Sequence, residues 1–318
     1  MTSKKTLFNK ELCLSNHDPL FLHCLREELS KVRKIIDQMY NEVYEYIADP
    51  HFENLIQTNF HGAYWQLYIT WAFHKYGLSR LTTPKSEGPD IILEDGTIIE
   101  AVNATSGEGL NKPDSLWGNN TSMEVRVVQD PDPKIVLRIT NAIASKKEQH
   151  RKWVADGIVS SDQPFVIAVN AGIVSPDVLP HLNEPSYGAK TAYAIGSLVL
   201  IMPHNLKTLL PEPDKTFAGS QYSPMKNKPN GKTVETDLFL TKNHKEISGL
   251  LFSPSHYLIT LPDGLMKDLE YLSNGMAMNC LPKRILHGIQ NTWIELEEES
   301  SQFRYFHEDQ RRNKLEEK

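Results

Sequence analysis

The chain reads Gly88-Pro89-Asp90-Ile91-Ile92-Leu93-Glu94-Asp95-Gly96-Thr97-Ile98-Ile99-Glu100, a pattern typical of a short β-hairpin. Apolar runs flank an Asp-Gly pair, which is a strong local signal for a tight turn between two antiparallel strands. One carboxylate, Asp90, stands at the start of the first strand, and another, Glu100, stands near the end of the second. The distance between these two acids depends on the type of turn.

The number of residues in the turn decides whether the two acids meet. A three-residue loop over 94–96, with its glycine in the left-handed conformation, pairs Leu93 with Thr97 and places Asp90 opposite Glu100. Opposed residues have Cβ atoms about 4.5–5.5 Å apart, which lets two carboxylates share one divalent cation. A two-residue turn shifts the register and points the acids to opposite faces. With either turn, the alternative is that Asp90 is an ordinary turn residue and Glu100 a solvated acid at the edge of a sheet.

The composition is that of a soluble globular protein. Of 318 residues, 40% are hydrophobic and 23% are charged, which fits one large α/β domain or two ordinary ones. No apolar run approaches the length of a transmembrane helix and no secretory signal is evident, so we expect no membrane partner. Cys13, Cys24 and Cys280 form no C-x-x-C pair, which favours a reducing, cytoplasmic location. The net charge of −6 means that any nucleic-acid surface must be local.

Apolar spacing predicts the main helices. One long amphipathic helix is expected from Pro19 to Tyr46, a second from Phe52 to Tyr76 with Gly77 as its stop, and a third over 135–156. An exposed apolar stripe on the first of these would indicate a homo-oligomer formed through the N-terminal helix. Apolar runs predict buried strands over 164–170 and 194–201, and two more over 249–252 and 257–261.

The remaining segments are polar. Residues 104–133 are predicted to form a long surface loop, 203–245 an excursion or flexible flap, and the charged tail from Glu295 a solvated helix or a disordered segment. The order of elements indicates an α/β sandwich with a mixed sheet. We divide the chain into an N-terminal helical segment (1–50), an α/β core (51–205), an excursion with C-terminal strands or helix that completes the core (206–294), and the charged tail (295–318).

A metal-dependent phosphodiesterase also needs a cation that orients the attacking water and stabilises charge on the phosphate. The strand position that shares the face of Glu100 is 102, and Val102 cannot supply that charge. The helix over 135–156 carries Lys146 and Gln149 on one face, so both side chains could lie beside a sheet on which this helix packs. The alternative is that its lysines form a solvated face.

Other catalytic patterns are weak. The sequence contains neither the His-Glu-x-x-His motif of zinc proteases nor the Gly-x-Ser-x-Gly motif of α/β-hydrolases. Gly107-Glu108-Gly109 is too short for a dinucleotide fingerprint and is instead a candidate flexible lip beside the proposed metal site.

Gly88-Pro89-Asp90, followed after nine residues by Glu100-Ala101-Val102, resembles the PD-(D/E)XK motif of the restriction-endonuclease-like nuclease superfamily. The order of helix, hairpin, basic helix and strand over 54–170 is also similar to the αβββαβ core of that superfamily. The resemblance implies a nuclease, a Mg²⁺- or Mn²⁺-dependent phosphodiester hydrolase. It implies that the two carboxylates and the Ala101 carbonyl bind the metal.

Two positions depart from the superfamily pattern. Val102 replaces the motif lysine, and the resemblance makes Lys146 the candidate substitute, because divergent members supply the lysine from the following helix. Gln66 stands in the preceding helix where such enzymes often place a glutamate, and we assign Gln66 and Gln149 positioning roles around the metal. An alternative is a catalytically inactive nuclease-like binding or scaffold protein. A further alternative is a different hydrolase or transferase with a cleft formed by 104–133 and 203–245.

Overall fold

The structure is a computed structural model. It describes residues 6–8, 16–47, 49, 51–76, 81–82, 87–107, 132–174, 185–201, 217–222, 225–227, 233–255, 268–286, 288–297 and 302–309. The predicted helix stop at Gly77, the predicted strand over 257–261 and most of the predicted loop over 104–133 lie outside these residues.

A mixed sheet organises the fold, as the sequence predicts. In the described part of the chain it has seven strands, in the order β1-β2-β3-β8-β9-β10-β11. These strands are β1 (Ile91–Ile92), β2 (Ile98–Asn103), β3 (Phe165–Asn170), β8 (Gly249–Ser253), β9 (Glu270–Ser273), β10 (Gln290–Glu297) and β11 (Gln302–Asp309). The β2-β3, β3-β8 and β9-β10 pairs are parallel, and the β1-β2, β8-β9 and β10-β11 pairs are antiparallel.

Helices cover both faces of the sheet. They are α1 (Pro19–Cys24), α2 (Ser30–Val43), α3 (Phe52–Thr58), α4 (Phe60–Tyr76), α5 (Asp132–Ala155) and α6 (Tyr187–Tyr193). Alternation along the strands sends Ile99 and Ala168 into a core shared with α4, whereas Ile98 and Ile167 enter a core shared with α5 and α6. Within the described residues, no helix has both the length and the apolar character needed to cross a membrane.

The prediction of one continuous helix from Pro19 to Tyr46 is wrong. The chain leaves helical geometry at Arg26, whose backbone is extended, and a short 3₁₀ turn over Glu27–Leu29 leads into α2. Nη1 of Arg33 lies 2.6 Å from the Cys24 carbonyl and 2.5 Å from the Arg26 carbonyl. The break is stable because a side chain from the next helix supplies the hydrogen bonds that the interrupted turn lacks.

The second predicted helix is also divided, between α3 and α4 at Asn59. Asp18 accepts hydrogen bonds from the backbone N–H groups of Leu20 and Phe60, at 2.8 and 3.0 Å. One carboxylate therefore caps the first turn of α1 and the first turn of α4, two helices that are distant in sequence. The backbone N–H of Asp18 also donates to the Gln57 carbonyl.

The apolar stripe of the N-terminal region is buried within its own chain. Ile36, Met39 and Val43 of α2 are at most 1% exposed and belong to the same core as the α4 residues Tyr64 and Tyr68. This stripe is therefore not a free surface for a second copy, and the structure removes the observation that would have supported an oligomer formed through it.

The C-terminal region differs most from the prediction. Instead of a solvated helix or disordered tail from Glu295, β10 and β11 pair antiparallel along their whole length and extend the sheet. Trp293 and Phe306 face each other across the pair, and their rings stack with centroids 5.3 Å apart. Such aromatic cross-strand pairs stabilise a hairpin despite the dense charge of the intervening residues.

The segment over 203–245 was predicted to be an excursion, and its described residues contain three strands. These are β5 (Phe217–Tyr222), β6 (Met225–Asn227) and β7 (Thr233–Glu235). β5 pairs with β4 (Ile195–Ile201), and β6 pairs with β7, each in a separate two-stranded sheet. The apolar run at 195–201 therefore forms a strand, as predicted, but not in the main sheet.

Candidate active site

The hairpin has the three-residue turn. Leu93 N–H donates to the Thr97 carbonyl at 2.9 Å, and Gly96 N–H donates to the Leu93 carbonyl at 2.9 Å. Gly96 has a φ of 85°, in the left-handed region that glycine adopts without strain. Ile91 pairs with Ile99 and Ile92 with Ile98, so the next pair along the ladder is Asp90 and Glu100. Of the two turns that the sequence left open, the structure has the three-residue one, which places the two acids opposite each other.

Asp90 and Glu100 are joined by a reciprocal pair of hydrogen bonds. The Asp90 N–H donates to Oε2 of Glu100 at 3.0 Å, and the Ala101 N–H donates to Oδ2 of Asp90 at 2.9 Å. Each carboxylate thus binds the backbone of the opposing strand. This arrangement fixes the direction of both side chains and keeps the two acids adjacent.

Lys146 completes the cluster from α5. Its Nζ lies 2.6 Å from Oε1 of Glu100 and 3.2 Å from Oε1 of Gln149, one turn further along the helix. The Glu100 side chain is 2% exposed and that of Lys146 is 19% exposed, so the ion pair is largely removed from water. The face of α5 that carries Lys146 and Gln149 is therefore directed at the sheet and not at solvent.

Lys146 is the residue that the resemblance suggested in place of the motif lysine, and its ammonium lies beside Glu100. Val102 follows Glu100 on the same face of β2 and packs at the edge of the apolar core beneath α5. A cation thus reaches Glu100 from the helix instead of from the strand. The catalytic role of Lys146 remains a prediction.

Burial controls the protonation of both acids. It raises the pKa of Glu100 to about 8, and the neighbouring Asp90 carboxylate adds to this increase, while Lys146 acts in the opposite direction. Burial likewise raises the pKa of Asp90, against the effects of Lys146 and the Ala101 N–H. A single ammonium does not compensate the charge of two buried carboxylates, so the pKa values of both acids stay above their ordinary values.

The donor set fits a divalent cation that keeps part of its water shell. Mg²⁺ is commonly bound by one or two carboxylates, with water and substrate oxygens as the other ligands. In the described residues, no group of three or more His, Cys, Asp or Glu side chains is placed to hold a metal ion. Asp90 and Glu100 would therefore be the only acidic ligands from this part of the chain. Ala101 contacts this cluster through its N–H, which donates to Asp90. The role of its carbonyl as a metal ligand stays a prediction.

The positioning role of Gln66 stays a prediction. Gln66 is 7% exposed on α4, which packs against the sheet face of Ile99, whereas Lys146 approaches from the face of Ile98. Among the described residues, no hydrogen bond connects the Gln66 side chain with Asp90 or Glu100. Of the two glutamines that were assigned positioning roles, only Gln149 contacts the cluster, through Lys146.

Two polar features near the strand ends were given no role in the sequence prediction. Arg138 lies on α5 two turns before Lys146, on the helix face that spacing had indicated, and its guanidinium lies so close to Gly107 that a Cβ there would be 2.1 Å from Nη1. His61 of α4 bonds Oδ1 of Asn170 at 2.8 Å, at the carboxyl end of β3. The His61–Asn170 pair spans more than a hundred residues and has no local signal in the sequence.

Comparison of the chain with known proteins gives no match. No protein-family model matches the chain, and neither a curated protein nor a solved structure shows detectable similarity to it. Function must therefore be argued from the geometry of the site.

Proposed function

We propose that this chain is a divergent metal-dependent phosphodiester hydrolase, a nuclease acting on DNA or RNA. The observation that supports it best is the convergence of Asp90, Glu100 and Lys146 from two strands and a separate helix. This is the combination of two acids and one cation that metal-assisted cleavage of a phosphodiester requires. The resemblance to the PD-(D/E)XK superfamily indicates the same reaction.

Each residue has a role that follows from its position. Asp90 and Glu100, with the Ala101 carbonyl, would hold Mg²⁺ or Mn²⁺, which when bound acidifies a water and stabilises charge on the phosphate. Lys146 lies beside Glu100 and is placed to orient the attacking water or to neutralise a phosphate oxygen. Gln149 accepts a hydrogen bond from Lys146 and so limits the directions in which the ammonium can point.

Binding of a cation at this site depends on whether the two acids hold a proton. The proton held by the Asp90–Glu100 pair must leave before both carboxylates can bind a cation. Lys146 stabilises the deprotonated pair, and a divalent cation would stabilise it further. We expect catalysis to need a pH at which this proton is lost. We also expect the protein to act in the cytoplasm. Because its net charge is −6, its contacts with nucleic acid must be confined to a local basic surface.

A nuclease-like scaffold without turnover is the second candidate. It is favoured by the neutral Gln66, which supplies no third acid, and by Val102 at the motif lysine position. Such a scaffold would bind Mg²⁺ no better than its Asp90→Ala variant. Tight binding by the unmodified chain that the variant loses would exclude it.

The test combines metal binding with cleavage on the same samples. Mg²⁺ and Mn²⁺ are titrated calorimetrically into the unmodified chain and the Asp90→Ala, Glu100→Ala and Lys146→Met variants, and each is incubated with fluorescent single- and double-stranded DNA and RNA. The matched control is Lys152→Met, an exposed lysine on the same helix. We expect the Asp90 and Glu100 variants to lose metal binding and cleavage together. Cleavage that persists undiminished in both would refute the proposal.

A further inference from the structure

A second chemical feature lies in the loop between β9 and the 3₁₀ turn over Lys283–Leu286. Its sequence is Met276-Ala277-Met278-Asn279-Cys280. Met276 and Met278 are 45% and 52% exposed, two of the three large apolar side chains with high exposure among the described residues. Cys280 is an exposed free thiol. Three sulfur atoms thus stand at alternate positions on the surface.

This exposure is unusual because cysteine and methionine normally pack inside proteins. The two intervening residues, Ala277 and Asn279, are each less exposed than the sulfur residues beside them. The alternation therefore directs the three sulfur side chains outward from one short segment. Three sulfur-bearing side chains are thereby exposed within five consecutive residues.

The backbone of this loop is held in place by its neighbours. Met278 N–H donates to the Lys245 carbonyl at 2.8 Å, and the Asn279 carbonyl accepts from Oγ of Ser248 at 2.6 Å. The Asn279 side-chain amide donates to the Ser161 carbonyl at 2.8 Å. Asn274, just before the loop, donates to the Ile247 carbonyl at 2.7 Å. The three sulfur side chains therefore project from a fixed backbone, which lowers the entropy cost of gathering them around one ligand.

We propose that Met276, Met278 and Cys280 form a surface site for a soft monovalent cation, Cu(I) or its analogue Ag(I). Thioether and thiolate sulfur select such ions, whereas Mg²⁺ and Ca²⁺ require oxygen ligands. Methionine has three rotatable bonds and a polarisable sulfur, so two methionines can bring their sulfur atoms to the position of the cysteine. Low-coordinate Cu(I) needs no more than these three ligands.

The sulfur site is independent of the proposed nuclease site. Asn279 binds carbonyls immediately before the first residue of β3, whereas Asp90 and Glu100 lie at β1 and β2 on the other side of β3 in the sheet. If the sulfur site does not bind Cu(I), the proposed nuclease site is unaffected, and the reverse also holds. The two sites also prefer different metals, so that Mg²⁺ does not compete with Cu(I).

The experiment is an anaerobic competition titration of the full chain with Cu(I) and a chromophoric Cu(I) chelator, with Ag(I) as a redox-inert check. The variants are Cys280→Ser and the double variant Met276→Leu/Met278→Leu, with Met39→Leu, a buried methionine, and Cys13→Ser as controls. We expect one Cu(I) per chain, and a loss of affinity of at least about tenfold (about 1.4 kcal/mol) in both test variants. The thermal unfolding midpoint should stay unchanged because the altered side chains are exposed.

Two results would overturn this assignment. Unchanged affinity in the double methionine variant would show that Cys280 binds the ion alone, as any exposed thiol does. Binding that persists in Cys280→Ser and disappears in Cys13→Ser would place the ion elsewhere. X-ray absorption of the Cu(I)-loaded chain gives an independent measurement, and a first shell of sulfur without nitrogen or oxygen is the expected result.

Discussion

Nζ of Lys146 lies 2.6 Å from Oε1 of Glu100, although the two residues are 46 positions apart in the chain. The contact joins the middle of a long helix to the second strand of the hairpin and is almost fully buried on the Glu100 side. An ion pair in such surroundings is sensitive to the loss of either partner, because the remaining charge is left buried without compensation.

Replacement of Lys146 by methionine should abolish most cleavage. The substitution keeps the volume of the side chain and removes the ammonium that faces Glu100, so we expect a decrease in the cleavage rate of roughly 10²- to 10⁴-fold, the range typical of a lost positioning or acid–base group. Lys152→Met should retain full activity. A Lys146→Met variant that cleaves at the normal rate while binding metal normally would show that another group supplies the cation.

Metal affinity should rise with pH up to about the pKa of Glu100. Because that pKa is raised to about 8, the folded protein holds a proton that a bound cation must displace. Affinity for Mn²⁺ should then increase by up to about tenfold per pH unit below the pKa and level off above it. Calorimetric titrations in several buffers, from about pH 6.5 to about pH 9, measure this slope together with the number of protons released. A flat profile would contradict the assignment.

The same proton has a predictable effect on stability. Glu100 has a higher pKa in the folded chain than its ordinary value of 4.5, so the folded state binds more protons than the unfolded state between these two values. The contribution of protonated Glu100 to stability is fully present below pH 4.5 and is lost as the pH rises through about 8. The thermal unfolding midpoint should therefore fall more steeply as the pH rises from 4.5 to about 8 in the unmodified chain than in Glu100→Gln. Equal slopes in the two proteins would contradict the raised pKa.

Gly96→Ala should destabilise the chain and weaken metal binding together. Its φ of 85° is unfavourable for any residue with a Cβ, and the cost should be about 1 kcal/mol in the free energy of unfolding. Urea denaturation measures this change. Gly275→Ala is the matched control, since a Cβ there meets nothing within 4 Å. If the two variants had equal stability, the turn would not be under the constraint described.

Asp18→Ala should destabilise two helices at once. The carboxylate accepts hydrogen bonds from the first turns of α1 and α4, so its removal should cost about 1–2 kcal/mol or more in the free energy of unfolding. Asp18→Asn keeps an acceptor oxygen and should recover part of the loss. Urea denaturation of both variants is the measurement, and an alanine variant as stable as the asparagine one would rule out the shared cap.

Local features of the fold were predictable from the sequence. The Asp-Gly pair predicted the hairpin and narrowed its register to two possibilities, and the strand at Phe165–Asn170 follows from an uninterrupted apolar run. The hairpin and strand inferences needed only the near neighbours of each residue. Helical spacing placed Lys146 on a face that could meet the sheet, but the family resemblance was needed to choose it over a solvated lysine.

Features set by distant residues were not predictable in this way. The break near Arg26 is stabilised by Arg33, and the start of α4 by Asp18. Gln66 was assigned to the site from the family resemblance alone, and that role stays a prediction, because the packing of α4 on the sheet depends on residues distant from the hairpin. The β10-β11 pair was missed because its charged residues concealed the alternating aromatic positions.

Because Asp18 caps the first turns of both α1 and α4, residues 16–46 cannot be removed without disturbing α4. Their apolar side chains cover the aromatic residues of α4, and the Asp18 carboxylate fixes where that helix starts. A shortened version beginning at residue 51 would expose the rings of Phe60 and Tyr64, and should aggregate. A version of the hairpin and its lysine transplanted into another protein, or a version of this protein shortened for crystallisation, must therefore keep these helices.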